Sequence, residues 1–363
     1  MRENLDYSKP IEISDNVFWV GKLSGHLLER NIYLRVFKKG NKTINLIIDP
    51  GPPEDLSNLT EKISKIIGNI KNIHLIFLNH QDPDVAYNSA IIQRMNKNCM
   101  VLTSEDNWRL VNFYGLDKDK YKSVESFKEM KAYLSTGHTI EFISSPFCHF
   151  RGAVMLYDLE SRILFSGDLF GGLSYTQKLF ADENWWEGIK VFHQIYMPNK
   201  EALHYAIGNI KKLKPEPLII APQHGFILTS DKVKKAIENL ENLDVGLDLY
   251  LKKKEKENYI NAMNDLLNEI KNSFSEKDIA EILNTFRDKT FTSYFSVDSN
   301  GIKDIKVDFD SAMEFLLRNL RLLWPKENLD LFDIEVVKAL IKWGIPVPKL
   351  YDVSSTEEIE LFS

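Results

Sequence analysis

Short runs of β-branched and aromatic residues alternate with amphipathic stretches over the first 230 residues of the chain. Residues 16–20, 32–37 and 44–48 have the composition of strands. The third run stops at Asp49-Pro50-Gly51-Pro52-Pro53, which permits a tight turn. Leu56, Leu59, Ile63, Ile66 and Ile67 then recur at the spacing of one helix face. Next come the apolar run His74-Leu75-Ile76-Phe77-Leu78, a helix around residues 86–95 and the strand Met100-Val101-Leu102-Thr103. Residues 139–143, 153–158 and 162–166 continue the strand pattern, the last two joined by a short turn. A helix from about residue 185 to 212 contains Pro198, which lacks an N–H and must kink or divide it. Leu218-Ile219-Ile220-Ala221 reads as a buried strand. Strands first, then strand and helix in alternation, predict a layered α/β domain with two β-sheets packed face to face over residues 1–230.

After Ser230 the pattern changes, and only Gly246, Gly301 and Gly344 remain of the glycines. Residues 231–288 read as helices, with Ser275 and Asp278 spaced like an N-cap pair. Asn300-Gly301 between β-type runs predicts one hairpin. Ala312, Phe315, Leu316, Leu320 and Leu323 form a helical stripe that stops before Pro325. Residues 231–363 are therefore expected to form a smaller, mostly helical C-terminal domain, its role unassigned. The acidic tail Glu357-Glu358-Ile359-Glu360 is expected to fray.

Composition narrows the function classes. Of 363 residues, 44% are hydrophobic and 27% charged, as in ordinary soluble proteins. A net charge of -6 argues against a general nucleic-acid binder. The basic run at 252–256 is interrupted by glutamate and reads as a solvated helix face. Cys99 and Cys148 have apolar neighbours and read as small buried hydrophobes, which fits a reducing compartment. The first residues lack the apolar core of a signal peptide, and no apolar run approaches the ~18 residues of a membrane span. A cytoplasmic protein without membrane association is expected.

The chemistry lies at strand ends. Directly after the apolar run 74–78, Asn79-His80-Gln81-Asp82-Pro83-Asp84 presents one imidazole and two carboxylates at alternate positions. His149, Asp168 and His224 also stand just after or at the end of strand-like segments. Three histidines and three aspartates delivered to strand ends describe a site for two metal ions. Carboxylate in place of imidazole adds hard anionic oxygen and favours iron over zinc. A carboxylate can also bridge two ions, and Asp168, leaving its strand through Gly167, is the candidate.

This order of residues resembles the metallo-β-lactamase-like domain of flavodiiron proteins and, more narrowly, the oxygen-binding diiron proteins related to them. The resemblance covers about residues 10–230 and includes Phe18-Trp19-Val20-Gly21 and Ala221-Pro222-Gln223-His224-Gly225. It implies an αββα sandwich with the site at one edge. It implies that His80, Asp82 and His149 hold one iron, Asp84 and His224 the other, and that Asp168 bridges them. Two departures stand out: Asp82 replaces the family's usual glutamate, and Val85 occupies a position where the family often has histidine. Hydrolases of the fold show His-x-His-x-Asp-His, and this chain lacks the second and last of those histidines.

His26, in an early loop that the fold often places near the metals, is a candidate for hydrogen bonding behind a ligand. His74, His138, His193 and His204 read as packed or surface histidines. Trp185-Trp186 reads as a packing cluster at a helix start, with a channel lining as the alternative. The paired tyrosines of relatives correspond here to Val191-Phe192.

Flavodiiron enzymes reduce oxygen or nitric oxide with electrons from a following flavodoxin-like domain. Beyond residue 230 the sequence shows no serine-, threonine- and glycine-rich flavin phosphate loop, and no cysteine follows Cys148, so no FMN is expected. The expected function is binding of O2, or NO, by a non-haem diiron protein. It would act as an oxygen sensor, or as a reductase fed by a separate flavoprotein or rubredoxin donor. A dinuclear zinc or manganese hydrolase is the alternative, and a scaffold with a structural metal a further one. A signalling partner and, by analogy with relatives that pair head to tail, a homodimer complete the expectations.

Overall fold

The computed structural model describes residues 5–250, 256–273, 289–298, 301–324 and 329–347. The run at 252–255, the Ser275/Asp278 pair, the Asn300 turn residue, Pro325 and the acidic tail lie outside the described residues. Contacts divide the chain into two compact units, Met1–Gly246 and Leu247–Ser363.

In the first unit, β1 (Ile11–Ser14), β2 (Val17–Trp19), β3 (Tyr33–Lys39), β4 (Lys42–Ile48), β5 (Leu75–Phe77), β6 (Met100–Thr103) and β7 (Tyr121–Ser123) form one sheet in chain order. Strands β1 to β4 pair antiparallel, and β4 to β7 pair parallel. The second sheet has the order β13-β12-β11-β10-β9-β8. Its strands are β8 (Lys131–Tyr133), β9 (Thr139–Ser144), β10 (Val154–Asp158), β11 (Ile163–Gly167), β12 (Ile219–Pro222) and β13 (Leu228–Thr229). Only β11 and β12 pair parallel there.

Side-chain alternation explains why the two sheets stack. On β3, β4, β5 and β6, Tyr33, Phe37, Leu46, Ile48, Phe77 and Leu102 join the cluster that also holds Phe142, Leu156 and Phe165 of the second sheet. Their neighbours Leu34, Val36, Ile47, Ile76 and Val101 face the opposite way, toward a helix layer. Strands buried on both faces give the continuous apolar runs seen in the sequence. That helix layer includes α1 (Leu56–Ile67) and α2 (Pro83–Met95), through Leu59, Ile63, Ala86 and Ala90. After α3 (Glu105–Val111), α4 (Trp185–Tyr196) and α5 (Lys200–Lys211) connect β11 to β12, and α6 (Asp231–Glu241) follows β13. Asn209 on α5 donates to Ser144 O at the end of β9. Pro198 divides the stretch 185–212 into α4 and α5, as its missing N–H requires. The αββα sandwich expected from the sequence is present. Arg35 on β3 and Asp158 on β10 pair across the sheets at 2.7 Å, both buried.

Helix α6 belongs to the first unit, where Lys211 pairs with Glu241 at 2.6 Å, so the unit extends past the boundary expected after residue 230. In the second unit, helices Lys256–Ser273, Phe309–Leu323 and Leu329–Lys342 and the hairpin of Phe295–Asp298 with Gly301–Ile305 surround a core of Tyr259, Met263, Phe291, Phe295, Leu316 and Leu340. Asn264 exchanges two hydrogen bonds with the backbone of Ile302, fastening the hairpin to the first of these helices. Among the described residues no helix is long and apolar enough to cross a membrane.

Candidate metal centre

Every candidate ligand follows a strand at one edge of the sandwich. β5 leads into His80 and Asp82, and Asp84 lies in the first turn of α2. The helix starts at Pro83, three residues before the start near residue 86 expected from the sequence, so Asp84 lies in its first turn. Asp82 occupies the N-cap position, yet its side chain makes no capping hydrogen bond. Its carboxylate faces the imidazoles instead. His149 lies in the loop after β9, Asp168 directly after β11, and His224 two residues after β12.

The two oxygens of Asp168 face different partners. Oδ2 is 2.9 Å from His149 Nε2 and 3.6 Å from His80 Nε2. Oδ1 lies on the other side, 3.7 Å from His224 Nε2. Asp82 Oδ2 completes the first group, 3.1 Å from His149 Nε2 and 3.5 Å from His80 Nε2. Asp84 Oδ2 completes the second, 3.4 Å from His224 Nε2. Donor atoms of His80, His149 and Asp168 all lie within 4.8 Å of one another. His80, Asp168 and His224 are buried, while Asp82, Asp84 and His149 open toward solvent.

Backbone and amide groups aim the imidazoles. His224 Nδ1 donates to Glu29 O at 2.9 Å, which leaves Nε2 as the acceptor facing Asp84 and Asp168. His80 Nδ1 is 3.1 Å from Asn79 Oδ1, and Asn79 Nδ2 donates to Val154 O at 2.6 Å. That second bond fixes the amide orientation, so His80 donates through Nδ1 and turns Nε2 toward Asp82 and Asp168. Asn31, buried on the strand entry beside Glu29, donates to Pro222 O at 3.0 Å and Gly225 O at 2.8 Å and accepts from Trp19 Nε1 at 2.9 Å. It clamps the loop that carries His224. His193 accepts from Phe170 N at 3.0 Å and so holds the turn after Asp168; burial depresses its pKa to about 4.

The site strongly separates charge. Asp168 and Asp82 raise His149 to about 10 through their hydrogen bonds. Burial pulls His80 down, but the Asp168 and Asp82 carboxylates raise it overall. Burial would push Asp168 up, yet His80, His149 and His224 hold it at about 2. Asp82 is held lower still by His149 and His80 against its own burial. Asp49, behind the loop, accepts from Asn79 N at 2.8 Å, and burial lifts it to about 7.

These residues fit a pair of divalent ions. Asp168 Oδ1 is buried and receives no hydrogen bond among the described residues, which is costly unless a cation satisfies it. Three imidazole nitrogens and three carboxylates without a thiolate form a donor set suited to iron or manganese. Val85 points into the core between the first sheet and its helices, away from any coordinating role.

Other residues read from the sequence lie apart or in the wall. His26 is exposed in the loop 24–29, which Glu29 closes by accepting from Ser24 and Gly25 N. His74, His138 and His204 bond to Asn45 N, Glu160 and Glu241 O respectively. Trp185 is buried at the start of α4 and packs on Trp186. Two aromatic residues stand near the candidate ligands: Phe192, already noted in the sequence and 5.6 Å from His224, and Tyr196, not singled out there and 6.1 Å from His149 by ring centroids. Their i, i+4 spacing on one helix face was the available signal.

Residues 28–225 match the ODP family beta lactamase domain. Over 236 residues, 60% of this chain and 56% of the relative, it is 28% identical to an uncharacterized protein of Methanocaldococcus jannaschii. Over 246 residues, 62% of this chain and 59% of the relative, it is 23% identical to the nitric oxide reductase of Moorella thermoacetica. The chain thus spans little more than half the length of these curated relatives. The solved chemotaxis sensor ODP from T. denticola has a TM-score of 0.55 and 26% identity, covering 66% of this chain and 95% of that one. The flavodiiron protein from Giardia intestinalis shares the fold, with a TM-score of 0.57 and 17% identity over 74% of this chain and 69% of that one. With the family domain matched over more than half of its length, and the diiron-type fold around it, this chain belongs to the ODP family beta lactamases.

Proposed function

We propose that the chain is a non-haem diiron protein that binds O2, and NO as the related gas, at the strand-end site. His80, Asp82 and His149 would hold one iron, Asp84 and His224 the other, with Asp168 between them. The observation that carries this reading is Asp168, whose Oδ2 faces His80 and His149 while Oδ1 faces His224. A ferrous pair held by these residues would supply two electrons to one diatomic molecule.

The protein's own residues set what can bind. The three carboxylates offset most of the charge of two divalent ions, so little attraction remains for an anionic substrate. With Val85 in the core, the Asp84–His224 side offers three protein ligands against four on the other side, and is the more open. Phe192 and Tyr196 place aromatic surface over His224 and His149, suited to a small apolar ligand. The hydrolase alternative is not favoured, since the histidine-rich pattern is missing and the matched relatives are the ODP sensor and flavodiiron proteins.

Sensing is the reading preferred here, with the second unit as the segment that reports occupancy to a partner. Similarity to a nitric oxide reductase supports a second reading, turnover fed by a separate flavoprotein or rubredoxin donor. One experiment separates them. Anaerobically purified, iron-loaded protein is analysed for metal and mixed with oxygen under a visible spectrometer. A reversible new absorption band, with one O2 taken up per two irons, is expected of a sensor. Sustained O2 or NO consumption with an added donor indicates the reductase. A silent spectrum, or two tightly bound zinc ions with ester or lactone hydrolysis, refutes the diiron reading.

A further inference from the structure

The carboxylate of Asp82 is gripped from the side opposite the imidazoles. Its Oδ2 lies 3.1 Å from His149 Nε2 and 3.5 Å from His80 Nε2, while Oδ1 is bonded to Gln81 Nε2 at 2.7 Å. A carboxylate accepts and cannot donate, so the nitrogen of Gln81 must face it and the amide orientation is fixed by chemistry. The bond is at the short end for N–H to an ionised oxygen. Gln81 is itself held, since its backbone carbonyl accepts from Tyr114 OH at 3.1 Å. Its Oε1 is buried and finds no hydrogen-bond partner among the described residues, so the side chain keeps this pose at some cost.

Gln223 provides an internal contrast. Its Nε2 approaches Asp84 at 3.3 Å, but through Oδ2, the same oxygen that lies 3.4 Å from His224 Nε2. Gln223 therefore does not divide the two oxygens of its aspartate by function. Gln81 does.

We propose that Gln81 is a positioning residue that fixes Asp82 as a ligand through Oδ2 alone. The proposal rests on the two-ion reading of the site. A carboxylate can bind a divalent ion through one oxygen or both, and free rotation of a short aspartate would allow either. With Oδ1 held by the amide, the two-oxygen mode would be disfavoured, and an ion held by His80 and His149 would keep a coordination position that Asp82 could otherwise fill. An amide outside the set of ligands thus sets how many positions remain for an incoming molecule.

The test uses the full chain loaded with Zn(II), a redox-silent probe, and infrared difference spectra between metal-free and loaded protein with carboxyl-labelled aspartate. Wild type should bind two ions and show the wide separation of antisymmetric and symmetric stretches that marks one-oxygen binding. Gln81→Leu should add a narrower pair of bands and change the affinity of one ion about tenfold or more, the range found for partners of metal ligands. Gln81→Glu, of the same shape but without a donor, should behave likewise, and serves if the leucine variant fails to fold. Gln223→Leu should leave the Asp82 bands unchanged. Two bound ions with unaltered bands and affinity in both Gln81 variants overturns this proposal alone. Fewer than two ions in the wild type overturns the two-ion reading instead.

Discussion

Replacing Gly167 with alanine would place a Cβ 1.9 Å from Cγ and Oδ1 of Asn79, far inside van der Waals contact. Gly167 has φ +60°, a conformation that costs an L-residue about 1–2 kcal/mol. Backbone cannot yield easily there, because Gly167 O accepts from Gln223 N at 2.8 Å and β11 continues into Asp168. Asn79 must therefore swing away, losing its bonds to Val154 O at 2.6 Å and His80 Nδ1 at 3.1 Å. Each buried group left unpaired costs about 1–3 kcal/mol. The sum is roughly 3–8 kcal/mol against the ~5–15 kcal/mol that holds a typical domain. Urea unfolding of the metal-free protein reads the loss directly. Zn(II) titration reads its second effect, an affinity about tenfold lower because His80 is no longer aimed. Asn79→Ala in the Gly167→Ala background should recover part of the stability, a non-additivity expected of residues in contact. A loss below about 1 kcal/mol with unchanged metal affinity would refute the claim that Asn79 is trapped between Gly167 and His80.

Two further outcomes follow from the supporting residues. Asn31→Leu leaves Trp19 Nε1 and Gly225 O without a partner, at about 1–3 kcal/mol for each, while Pro222 O keeps its bond from Tyr33 OH. Denaturation should show a loss of at least ~2 kcal/mol, and metal titration a selective weakening of one ion; an unchanged midpoint counts against the clamp. The metal-free protein should also have bounded pH stability. His149 is raised from 6.5 to about 10, so its contribution is complete below 6.5 and is lost as pH rises through 10. Asp168 is lowered from 3.8 to about 2, so its contribution is present above 3.8 and is lost as pH falls through 2. A metal ion must displace the His149 proton, so affinity should increase with pH over the same alkaline range; isothermal titration at several pH values checks this.

The convergence of the candidate ligands at strand ends was legible because strands buried on both faces leave unbroken apolar runs, and the residues just past each run stand out. His80, Asp168 and His224 each follow such a run. The edge strands were not legible. Tyr121-Lys122-Ser123 and Lys131-Ala132-Tyr133 are too short and too polar to signal themselves, and form by pairing with β6 and β9. The residues that aim the ligands were equally hidden. Asn31 and Gly225 are 194 positions apart, and nothing local marks an asparagine as a clamp on so distant a loop. Gln81 lay in plain view between His80 and Asp82, but only the geometry of its amide separates it from a spacer.

The proposed ligands come from both halves of the sandwich, His80 from the end of a strand in one sheet and Asp168 and His224 from strands in the other. An ion shared by these residues would act as a reversible rivet between the layers. At a free concentration one hundred times its dissociation constant it would add about 2.7 kcal/mol to the closed form. Proteases that cleave transiently opened chains would then remove the ion-free population first, so the amount of this protein in a cell would itself follow the supply of metal.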